Sequence, residues 1–347
     1  MITIEKVSTN GGTATILTLV NDSGASVVLS TIGAGIVSVK VPDNNGCIAD
    51  VALGYKSPGD YIGDGPACGK IPGRYANRIA GGRFVLDGME YRLPINNGPN
   101  CNHGGDEGFH NRHWNVKEYA SDRVVFTYLS ADGEAGFPGN LRVEAEYVWT
   151  DRNELKLTLT ASTDKPTVVN LTNHAYWNLK GHDSGSVLGH SLKLEADRYL
   201  PTDETLIPTG ELAPVAGTPM DFRTSKAIGR DIEADFPALK IGKGYDACWV
   251  VNGFAEGDVR KVATLSDEVT GRILEIESDQ PGVQVYTGNW LSGCPENKAG
   301  RGYDDYDGVA VECQAFPDSP HHPEFPSTVL RPGEKYIKHI NFIFKTR

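Results

Sequence analysis

Apolar and polar residues alternate in twos along most of this chain. In ELKLTLTAS, Leu155, Leu157, Leu159 and Ala161 fall on one face, and Lys156, Thr158 and Thr160 on the other. That spacing predicts a half-buried strand. KHINFIF gives Ile340, Phe342 and Phe344 the same face, and VVFTYLS and LRVEAEYVWT repeat the pattern across the turn-rich ADGEAGFPGN. RFVLDGMEYRL predicts a hairpin turning at Asp87-Gly88. Helical periodicity is scarce; the best short candidates are Ser57 to Ile62 and Lys226 to Ile232. Residues 200 to 225 form the longest irregular stretch. They read as a linker or, given Leu206, Ile207, Leu212, Val215 and Phe222, as a loop packed on a sheet. Short strands divided by Gly, Pro, Asn and Asp predict an all-β sandwich or barrel.

Composition narrows this. The 347 residues suffice for a large core without disulfides or metal. With 40 glycines and no collagen period, the glycine marks many tight turns. The formal charge of -12 argues against a nucleic-acid partner, whose phosphates need clustered Lys and Arg. Six cysteines without a C-x-x-C pair read as small apolar residues in a reducing compartment. MITIEKVSTNGG lacks the basic and apolar regions of a signal peptide, and no 18-residue apolar run occurs, so a cytoplasmic address and no membrane partner are expected.

Candidate chemistry lies in short polar stretches inside strand-like sequence. GRYANRI sets Asn77 beside Arg78, and NNGPNCNHGG sets His103 among turn residues. VVNLTNHAYWNL runs from an apolar start to His174. Asp246 begins the apolar strand of YDACWVV, and Gln284 shares a strand face with Tyr286 in GVQVYTGNWL. In GVAVECQAFPDSP, Glu312 lies mid-strand beside Ala310 and Gln314. Taken singly, each reads as a turn, a cap or a core residue. A carboxylate on such a strand must be paired, or its pKa rises. Together these residues suit a polyhydroxylated ligand, and Glu plus His suits acid–base chemistry without a covalent intermediate.

GRYANRI, the NHGG with its following GF, TNHAYWNL, YD at 245 and 246, GVQVYTGNWL, VECQAFPDSP and FPSTVLRPGE resemble, in order, the aldose 1-epimerases. The resemblance implies one large β-sandwich domain over residues 1–347, of the galactose mutarotase-like type. It implies interconversion of the anomers of free aldohexoses such as galactose or glucose, with no cofactor and no metal. Glu312 matches the general base, His174 the general acid, and His103 a second histidine near the ring oxygen. Asn77, Arg78, Asp246 and Gln284 match substrate-positioning residues, and Ala175 and Tyr176 flank the acid in the pocket. The expected partner is a small aldose and the working unit a monomer or homodimer.

Asn102 and Pro72 depart from the family's usual residues, both expected at the pocket wall. His110 and His113 are extra. With His103 they have spacings of six and two residues, but no carboxylate pattern completes a metal site. A hexose-6-phosphate epimerase would need further cations at the pocket mouth, where only Arg78 stands at a motif. A non-catalytic sugar-binding protein would be expected to lack Glu312 or His174, and both are present.

Overall fold

The structure is a computed structural model that describes all residues 1–347. Every strand pair is antiparallel. The strands Asn115–Tyr119, Arg123–Ser130, Leu141–Trp149 and Glu154–Thr163 run consecutively in a nine-stranded sheet. Tyr336–Thr346 comes next, between Glu154–Thr163 and Arg272–Ser278, and Arg260–Ser266, Ser191–Leu194 and Lys226–Ala227 complete it. A six-stranded sheet has Val309–Gln314, Gly282–Tyr286 and Asp246–Val250 side by side near its middle. A five-stranded sheet covers Ile2 to Asp50.

The alternation in sequence becomes the alternation in burial. Leu155, Leu157, Leu159, Ile340, Phe342 and Phe344 all point inward. One cluster of 59 buried apolar residues joins them to Val283, Val285, Val309 and Val311, so the two larger sheets share a single core. The architecture is therefore the all-β sandwich that the pattern predicts. The Asp87-Gly88 hairpin forms with φ of 51° and 79° at its two central residues, the left-handed conformation that Asp-Gly favours.

Three expectations are corrected or sharpened. The two helical candidates are each a single 3₁₀ turn, Pro58–Tyr61 and Ile228–Arg230. The one α-helix is Pro237–Gly242, which opens on a proline and ends at Lys243 with φ 55°. Residues 200 to 225 are no linker: Leu200, Ile207, Val215, Met220 and Phe222 are buried.

Candidate active site

The floor of the site is one face of the six-stranded sheet. Register sets Gln284 opposite Glu312 on one side and opposite Cys248 on the other, with Asp246 opposite Tyr286. Directly opposed residues share a face. Asp246, Gln284, Tyr286 and Glu312 therefore project together, while Ala247, Trp249, Val283, Val285 and Val311 face the core. Glu312 is 2% exposed.

His174 comes from a different construction. Of the apolar run only Val168 is strand, at the end of Thr167–Val168. Beyond it the backbone bonds to the segment that carries GRYANRI. Asn170 N donates to Arg74 O at 3.1 Å and Ala76 N to Asn170 O at 2.7 Å. His174 N donates to Lys70 O at 2.8 Å, and Gly69 N to His174 O at 2.9 Å. The Asn170 side chain ties this segment to the end of the strand Val309–Gln314. Its Nδ2 donates to Ala76 O at 3.0 Å, and its Oδ1 accepts from Ala315 N at 2.9 Å.

These elements bring His174 Nε2 to 3.4 Å from Glu312 Oε1. The His103 ring stands edge-on to His174, with centroids 5.3 Å apart. Asn77 N–H donates to His103 Nδ1 at 3.1 Å. Neutral His103 therefore carries its proton on Nε2. Both residues sit in left-handed backbone, φ 64° and 54°, which makes this close approach possible. Arg78 donates from Nε to Asn97 Oδ1 at 2.9 Å and lies 3.6 Å from Asp246 Oδ2. Gln284 Nε2 donates to Asp246 Oδ1 at 2.6 Å.

Burial pushes the Glu312 carboxyl well above the usual range; the Asp246 charge adds to this and Arg78 opposes it. Burial lowers His174 to about 4, its own backbone opposing and the Lys70 charge adding. His103 is pushed well down by burial and then by His174, His110 and Arg78. Neutral Glu312 beside neutral His174 has the same proton count as carboxylate beside imidazolium. With one proton on the pair, a single transfer exchanges its two forms.

The cavity above measures about 590 Å³. Asn77, Arg78, His103, His174, Tyr176, Asp246 and Glu312 line it, as does Asn102. Ala175 does not: it packs into the apolar core on the far side of the chain from His174. Gln284 stands behind Asp246, in a crevice next to the cavity, and Pro72 is buried away from the wall. Asn97, Tyr286, Trp290 and the loop Glu204 to Leu206 also line the cavity without having been singled out as site residues. Asn97 lay within the His103 stretch and Tyr286 on the Gln284 face; Leu206, expected to pack on a sheet, is only half-buried and lines the cavity. His110 is buried edge-on to His103 at 6.1 Å and lowered to about 3 by burial, then by Lys70 and His174. His113 pairs instead with Ile32 in a backbone bridge.

A family model described as aldose 1-epimerase matches residues 15–342. The chain belongs to the aldose 1-epimerase family. Galactose mutarotase of Bos taurus is 42% identical over 304 residues, covering 88% of this chain and 86% of that one. Aldose 1-epimerase of Escherichia coli K12 is 40% identical over 332 residues, covering 95% and 94%. An aldose epimerase homologue from C. elegans superposes with a TM-score of 0.88 at 30% identity over 99% of both chains. A galactose 1-epimerase from Lactobacillus acidophilus gives 0.87 at 29%, covering 100% of this chain and 99% of that one. As an aldose 1-epimerase family member, the chain is an isomerase whose substrate is a small sugar. No helix is long and apolar enough to cross a membrane.

Proposed function

We propose that this enzyme interconverts the α and β anomers of free aldohexoses, galactose and glucose among them, by acid–base ring opening and closure. The observation that carries the reading is the 3.4 Å approach of His174 Nε2 to Glu312 Oε1 inside a polar cavity. Glu312 takes the proton of the anomeric hydroxyl as the C1–O5 bond opens, and His174 gives its proton to O5. After rotation about C1–C2 the same transfers run in reverse on the other face of the aldehyde. In the open intermediate Glu312 is protonated and His174 neutral, which is the form that burial favours. His103 serves as a neutral donor, since its Nδ1 is occupied as an acceptor. Arg78, Asp246 and Asn77 orient the sugar hydroxyls. Gln284 acts through Asp246, and Tyr176 forms the wall.

Within this reading residues 1–347 work as one domain around the shared core, as a monomer or homodimer. The six free cysteines support a cytoplasmic address. A hexose 6-phosphate as substrate is less favoured, because Arg78 is the one cation lining the cavity beside Glu204, Asp246 and Glu312.

Polarimetry on freshly dissolved α-D-galactose or α-D-glucose tests the reading. The protein should speed the approach to equilibrium rotation. Glu312→Gln and His174→Asn should each lose roughly 10²–10⁴ of that acceleration while retaining native circular dichroism. Absence of acceleration by the native protein would overturn the activity, and full activity in either variant would overturn its role.

A further inference from the structure

The proposed reaction makes no use of a fully buried ion pair that adjoins His174. Lys70 and Asp64 side chains are both 0% exposed and in direct contact. The Lys70 ammonium also donates to Tyr61 O at 2.5 Å and Asn111 Oδ1 at 3.2 Å. Asp64 accepts from Tyr55 OH at 3.0 Å and Cys68 N at 2.9 Å. The lysine's stem has been given room: a Cβ on Gly33 or Gly35 would come within 2.8 and 3.2 Å of it.

Stability does not account for such a pair. Exchange of a buried ion pair for apolar side chains of equal volume is often neutral or favourable. Its surroundings suggest a different role. The backbone of Gly69 and Lys70 makes both hydrogen bonds that clamp His174. Asn111, which receives the ammonium, adjoins His110, and His110 lies edge-on to His103. Asp64 leads into Gly65 and Pro66 of the cavity wall, where Pro66 O accepts from Tyr176 OH at 3.2 Å. One buried charge pair thus underlies both histidines and the wall.

We propose that Lys70, held by Asp64, is a positioning residue for the reaction: it aims His174 through the paired backbone and fixes beside that imidazole a positive charge opposing imidazolium formation. Glu312, His103, Tyr176 and Tyr286 face the same ring from the other elements. The Lys70 ammonium lowers both His174 and His110, and the Asp64 carboxylate in contact with it offsets part of that field. A less basic imidazole releases its proton more readily to a ring oxygen, itself a poor base. The inference rests on His174 being the acid of the proposed reaction.

Because Lys70→Met alone leaves Asp64 bare, the deciding variant is Lys70→Met/Asp64→Asn, which removes both charges and keeps acceptors for Tyr55 and Cys68. It should fold. The acid limb of kcat/KM, followed by polarimetry, should move up by roughly a few tenths of a pH unit, since the opposing Asp64 charge leaves with that of Lys70. kcat should fall on the order of tenfold as His174 loosens. A folded double variant with an unmoved limb overturns the proposal. A second measurement needs no variant: in the native protein added salt should leave the acid limb where it is, since a buried cation is not screened. A limb that shifts with salt assigns the field to surface charges and overturns the proposal. If the native enzyme leaves rotation unaccelerated, the parent reading has failed instead.

Discussion

At Glu312 and His174 the number of protons on the pair matters more than either acidity. In the proposed reaction the working form has one proton between them. Below about 4, His174 accepts a second while Glu312 is still protonated, and no base remains. As pH rises through the elevated carboxyl range the shared proton leaves, and no acid remains. kcat/KM should therefore fall on the acid side near 4 and fall again on the alkaline side at a pH above the ordinary carboxylate range. Polarimetry across buffers from pH 3 to 10 checks this; a midpoint near 6.5 on the acid side would mean that His174 is not desolvated as described. The positions of this pair were legible because a Glu on a strand apolar on both faces, and a His after an apolar run, break the local pattern; taken singly each still read as a turn or core residue, and their roles came from the family resemblance. Ala175 was not legible, because it lies in an irregular segment where alternation gives no direction.

Among the elements, long strands announced themselves and short ones did not. Glu154–Thr163 and Tyr336–Thr346 each bury one face, so side-chain period follows burial. Thr167–Val168 and Tyr176–Trp177 are two-residue strands whose surroundings are set by asparagines rather than by a ladder. Asn170 is the clearest case, fully buried and bonded to both Ala76 and Ala315. Asn170→Ala leaves those two backbone groups without side-chain partners. It should cost about 3 kcal/mol in urea unfolding. It should also lower kcat, since it unties the segment bearing His174 from the strand bearing Glu312. A loss below about 1 kcal/mol would show that the tie is dispensable. Such ties join residues nearly 150 positions apart, which is why no local window displays them.

For the whole molecule, strand content and acidity were plain in the letters; strand order was not, since neighbours far apart in sequence leave no local trace. Acidity has a consequence for substrate choice. With a net charge of -12 and a cavity rich in carboxylates, hexose 6-phosphates should be turned over at least tenfold less efficiently than free hexoses at equal concentration. A coupled anomer-specific assay on glucose and glucose 6-phosphate measures this, and a preference for the phosphate would reverse the assignment. The position of Tyr336–Thr346 has a consequence of another kind. It lies inside the nine-stranded sheet, between strands that begin at residues 154 and 272. During synthesis on the ribosome, the sheet on either side must wait with two open edges until residue 346 emerges. The interval between making the first half of the sandwich and closing it is therefore when this chain most needs a chaperone.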